Sequence, residues 1–75
     1  MQLIYEKYYK TLGQNILFYR KRQNLTQTQL CEIVDISRNH LSRIENADCA
    51  VSLDVIFDIC DALDISPDKL FDFDR

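Results

Sequence analysis

Four times in this chain an apolar residue is followed by Ser or Thr, then three residues, then a second apolar residue. The instances are Leu25-Thr26…Leu30, Ile36-Ser37…Leu41, Val51-Ser52…Ile56 and Ile65-Ser66…Leu70. Each is the signature of a helix start. The hydroxyl caps unpaired N–H groups of the first turn, and the apolar pair closes over it as a hydrophobic staple. Gln29, three residues after Thr26, completes a capping box. Pro67 stands at the first helical position, where its missing N–H costs nothing, and Asp68 follows near the positive helix end. The repeats predict helices starting near residues 27, 38, 53 and 67.

A fifth helix precedes them. Ile4, Tyr8, Leu12, Ile16 and Tyr19 recur at helical spacing along one face. This helix is expected to end near Gln23–Asn24, and residues 1–9 read as its continuation, with a loose arm as the alternative. At the other junctions Asp35, Asn46 and Asp64 stand where a left-handed residue is wanted; Asn and Asp tolerate that conformation better than other non-glycine residues. With one Gly and one Pro in 75 residues, there is little material for a turn-rich β fold. The expected architecture is all-α, in one domain over residues 1–75, with a core of 47 % hydrophobic residues.

The second and third helices, about 27–34 and 38–46, are separated by a tight turn and form a helix-turn-helix. Leu30, Cys31, Val34, Ile36, Leu41 and Ile44 fall on its inner side. Arg38, Asn39, Ser42 and Arg43 fall on the outer face of the third helix, with His40 to one side. Arg pairs with guanine and Asn with adenine through two parallel hydrogen bonds, so this face has the chemistry of direct base readout. Alone, such a set would read as a solvated helix surface. Lys21 and Arg22, in the basic run closing the first helix, are candidate phosphate contacts, as is His40. Arg20 reads as structural, because Glu45 sits near the negative end of the third helix and needs a cationic partner.

The stretch LTQTQLCEIVDISRNHLSRIEN resembles the helix-turn-helix core of the Cro/C1-type (XRE-type) transcriptional regulators. SLDVIFDICDALDISPDKLF is similar to that family's fourth and fifth helices. The resemblance runs from about Leu12 to Phe71. Small chains of this shape also look like restriction–modification controller proteins and short phage-type repressors. The resemblance implies a compact five-helix, lambda-repressor-like DNA-binding domain with its helix-turn-helix at about 27–46. It implies that the third helix enters the major groove of double-stranded DNA, with Arg38, Asn39 and Arg43 at base edges and Ser42 beside them. It further implies that Gln27 contacts a phosphate and buttresses the third helix, that Asn46 meets a phosphate, and that Arg20 and Glu45 form an ion pair. The loop Ala47-Asp48-Cys49-Ala50 departs from the family, which usually places Gly and Lys or Arg there, and Asp48 would repel a phosphate.

Charge agrees with an oriented molecule. Residues 1–46 hold seven Lys/Arg against four Asp/Glu, and residues 47–75 hold two against eight, within a net charge of −3. A basic front and an acidic back suit one face turned to an anionic partner. Val51, Val55, Phe71 and Phe73 are surplus apolar residues, expected to form a two-fold homodimer interface through helices four and five, about 53–73. The competing function is a protein-interaction module that uses the acidic C-terminal half, with DNA binding weak or lost.

Other classes find no support. One His, no nucleophile–base arrangement and no Gly-rich phosphate loop argue against an enzyme. Cys31, Cys49 and Cys60 contain no C-x-x-C pair, so neither a disulfide framework nor zinc is expected. Cys31 and Cys60 read as buried, and Cys49 as an exposed loop thiol. No cofactor or small-molecule ligand is implied. No apolar run approaches the ~18 residues of a membrane span, and no signal sequence opens the chain, so a cytoplasmic location is expected.

Overall fold

The computed structural model describes residues 4–73 and, among them, contains five helices and no strand. Helix α1 spans Glu6–Arg22, α2 Gln27–Val34, α3 Arg38–Glu45, α4 Leu53–Leu63 and α5 Pro67–Leu70. Three of the four hydroxyl caps are made. Thr26 Oγ1 accepts from the Gln29 N–H at 3.1 Å, while Gln29 Oε1 accepts from the Thr26 N–H at 2.8 Å, a complete capping box. Ser37 Oγ accepts from the His40 N–H at 3.0 Å and Ser52 Oγ from the Val55 N–H at 3.2 Å. Ser66 differs: its hydroxyl bonds the Asp68 carboxylate instead of a backbone N–H. The hydroxyl gives its proton to that carboxylate, and no first-turn N–H reaches its oxygen. The staples close as expected, with Leu25, Ile36, Val51 and Ile65 packed against the core and Leu30, Leu41, Ile56 and Leu70 inside it.

Helix α1 starts later than its apolar stripe suggests. Ile4 and Tyr5 form a turn, Ile4 is 92 % exposed, and residues 1–3 lie outside the described residues. Of the stripe, Leu12 and Ile16 are buried, Tyr19 is half-buried and Tyr8 is exposed. A 17-residue helix is about 25 Å long, as long as the molecule is wide, so its first turns pass beyond the core.

The helix ends use left-handed residues at Asn24, Asp35 and Asp64, with φ of 59°, 63° and 55°. At the end of α3 the expectation shifts by one residue. Asn46 has φ −96°, and Ala47 takes the left-handed conformation at φ 59°. The Asp48 N–H bonds Arg43 O at 2.8 Å and the Ala47 N–H bonds Ile44 O at 3.2 Å. That pair of bonds is a Schellman turn, whose left-handed position lies one residue beyond the cap.

Helix α1 packs on α3, α2 on α4, and α5 closes against α1 and α4. Asn15, buried in α1, fastens this closure by donating through Nδ2 to Leu70 O at 2.9 Å and Asp72 O at 3.0 Å. Cys31 and Cys60 lie in the core as free thiols. Burial pushes both up; Glu45 adds to the shift at Cys31, and Asp61 and Asp68 at Cys60. Cys49 is not the exposed thiol expected of a loop residue. It is half-buried and packs against the core, because the tight turn after Glu45 draws the loop inward.

Candidate nucleic-acid interface

Three residues, Asp35, Ile36 and Ser37, connect α2 to α3. The left-handed Asp35 stops α2 and the Ser37 cap starts α3, so the turn is fixed from both sides. Leu41, Ile44 and Glu45 then face inward, which turns Arg38, Asn39, Arg43 and Asn46 to the surface and leaves His40 and Ser42 half-buried.

This orientation gathers the expected residues. Gln27, Arg38, Asn39 and Ser42 line one surface hollow of about 170 Å³. Arg43 lies beside the following loop, its Nη2 donating to Asp48 O at 3.4 Å. Asn46 folds back along α3 and donates to Ser42 O at 2.9 Å. Lys21 and Arg22 are exposed in the last turn of α1 and border a separate hollow with Gln14, Leu17 and Phe18.

Behind the hollow is a charged support. Arg20 Nε donates to Glu45 Oε2 at 2.8 Å and Nη2 to Oε1 at 3.1 Å, while Nη1 donates to Leu25 O at 2.9 Å. The Arg20 and Glu45 side chains are only 8 % and 4 % exposed. Gln27 joins them, donating from Nε2 to Glu45 Oε1 at 2.9 Å. One amide hydrogen and the carbonyl oxygen of Gln27 remain for an external partner. One carboxylate at the end of α3 thus ties α1 and α2 to that helix.

A second surface lies elsewhere. Tyr5, Tyr8, Tyr9, Leu12, Val51, Leu53, Ile56, Phe71 and Phe73 line an apolar groove of about 390 Å³. Tyr8 stacks on Phe73 with ring centroids 5.7 Å apart, and Phe71 meets Phe73 edge-on at 6.2 Å. Val55, grouped with these residues by sequence, instead packs half-buried against the core. The tyrosines were missed, although YEKYYK opens the first helix. Among the described residues no cluster of His, Cys, Asp or Glu could hold a metal ion, and no helix is long and apolar enough to cross a membrane.

The helix-turn-helix family model matches residues 16–70, from the middle of α1 to the end of α5. The chain belongs to the helix-turn-helix family. Antitoxin PezA of Streptococcus pneumoniae is 46 % identical over 55 residues, covering 73 % of this chain and 35 % of that protein. The chain therefore spans about a third of that relative's length. Control protein C.SmaI of Serratia marcescens is 34 % identical over 59 residues, covering 79 % of this chain and 70 % of that one. The crystal structure of the restriction-modification controller protein C.AhdI from Aeromonas hydrophila superposes with a TM-score of 0.81 at 30 % identity, covering 84 % of this chain and 96 % of that one. The hollow at α3 lies inside the family match. Six of the groove's lining residues, Tyr5, Tyr8, Tyr9, Leu12, Phe71 and Phe73, lie outside it.

Proposed function

We propose that this helix-turn-helix chain is a sequence-specific, DNA-binding transcriptional regulator that lays α3 in the major groove. Arg38, Asn39, Ser42 and Arg43 read base edges. Gln27, Asn46, Lys21, Arg22 and His40 meet phosphates, which position the protein without reading sequence. The observation that carries this reading is the shared hollow of Gln27, Arg38, Asn39 and Ser42, backed by the buried Arg20–Glu45 pair. Polar groups on a rigid helix end, held from behind, suit recognition that depends on hydrogen-bond geometry. The names of the relatives, two control proteins and an antitoxin, agree with a regulatory role.

The active form is a homodimer on a two-fold operator, joined through the apolar groove. Phe71 and Phe73 are 41 % and 37 % exposed and Tyr8 is 44 % exposed, a surface that a second copy would cover. The competing interaction module would instead dock a basic partner protein on the acidic C-terminal half.

Selection of bound duplexes from a random library, followed by gel-shift titration, tests the assignment. Arg38→Ala, Asn39→Ala and Arg43→Ala should each cost roughly 1–3 kcal/mol on the selected duplex and relax preference at particular base pairs. Gln27→Ala should weaken binding to selected and scrambled DNA alike. If Arg38→Ala and Arg43→Ala bind the selected duplex as the wild type does, α3 is not the reader and the interaction module takes its place.

A further inference from the structure

We propose that Gly13 is a positioning residue for base recognition: its missing side chain sets how deeply the end of α3 sits on α1, and so where Arg38, Asn39 and Ser42 stand against the bases. The inference rests on the major-groove reading above.

Gly13 is the single glycine of the chain, and it lies in the interior of α1 with no positive φ. No turn requires it, and glycine weakens a helix interior. The close approach of α3 explains it. A Cβ at residue 13 would lie 2.6 Å from the carbonyl oxygens of both Ile44 and Glu45. Both are backbone atoms and cannot swing aside, so any side chain must lift the end of α3 away from α1. The Arg20–Glu45 and Gln27–Glu45 bonds hold that same end down.

The eight residues of α3 make a rod about 12 Å long, pinned mid-length by the fully buried Leu41. Lifting its C-terminal end tilts the N-terminal end, which carries Arg38 and Asn39, the opposite way. Hydrogen bonds to base edges work only within about 2.7–3.2 Å. A tilt of a few tenths of an ångström or more therefore degrades paired contacts, while phosphate contacts from flexible side chains adapt.

The test compares Gly13→Ala with wild type and with Ile59→Val, a substitution in the core of α4, at a temperature where circular dichroism shows all three folded. Fluorescence anisotropy is measured on the duplex that wild type selects from a random library and on a scrambled duplex. The expected result is a loss of about tenfold or more for Gly13→Ala on the selected duplex, with scrambled binding within about twofold of wild type. Ile59→Val should match wild type on both. Should Gly13→Ala not fold, the comparison is made in an Ala47→Gly background, which relieves the left-handed strain at residue 47. Equal losses on both duplexes, or binding no weaker than that of Ile59→Val, would overturn the role of Gly13. If wild type selects no preferred duplex, the major-groove reading itself falls, and the inference falls with it.

Discussion

Glu45 places a negative charge at the carboxyl end of α3, where the helix dipole opposes it. It is stable there because Arg20 grips both of its oxygens and Gln27 adds a third bond. With both ionic side chains nearly buried, removing either one strands the other. Glu45→Ala and Arg20→Ala should each cost about 3 kcal/mol or more, against ~0–1 kcal/mol for an exposed pair. In urea melts the double variant should lose clearly less than the two single losses combined; additive losses would show that the charges act independently. The buried thiols make a second claim. Burial raises the pKa values of Cys31 and Cys60, so the folded state holds their protons more tightly than the unfolded state does. Their contribution is fully present below the ordinary thiol value of about 8.5 and is lost as pH rises through the folded values. The melting temperature should hold level near pH 7 and fall above about pH 9. Thiol titration of the folded protein at neutral pH should label Cys49 first.

At the scale of elements, the four capped helix starts were legible, and so were the left-handed ends at Asn24, Asp35 and Asp64. A cap and its staple are local, so Thr26, Ser37 and Ser52 announce their helices within five residues. Ser66 looked identical, yet its hydroxyl donates to Asp68 and accepts no backbone N–H, a choice the local pattern does not encode. The end of α3 depended on which residue closes a Schellman turn, and Ala47 gives no conformational signal. The outer face of α3 was legible because helical spacing alone groups Arg38, Asn39, Ser42 and Arg43, and the tight turn leaves all but the half-buried Ser42 exposed. Gly13 and Asn15 were missed, although a lone glycine inside a helix and an amide beside Ile16 on a buried face were both visible. What they touch lies far along the chain, and no local rule supplies that partner. Asn15 is a clasp between elements, holding the backbone of Leu70 and Asp72. Asn15→Ala should leave those carbonyls short of donors and cost about 1–3 kcal/mol. Hydrogen exchange should localise the effect, with faster exchange at the Phe71 amide, which bonds Pro67 O, and little change in α2 and α3.

At the scale of the whole molecule, the polar hollow at α3 and the apolar groove share no lining residue, so one can be altered without touching the other. The groove joins residues from both flanks of the family match to Val51, Leu53 and Ile56 inside it, and a homodimer through it would bury all of them together. Sedimentation at micromolar concentration should show a dimer, and Phe71→Asp should convert it to monomer while the helical circular dichroism signal persists. A wild-type monomer at high concentration, without DNA, would refute pairing through this surface. The Tyr8–Phe73 stack also ties the first turn of α1 to the segment that follows α5. Mechanically that contact is a latch: load applied to the segment after α5 would pass into α1 instead of peeling α5 away by itself.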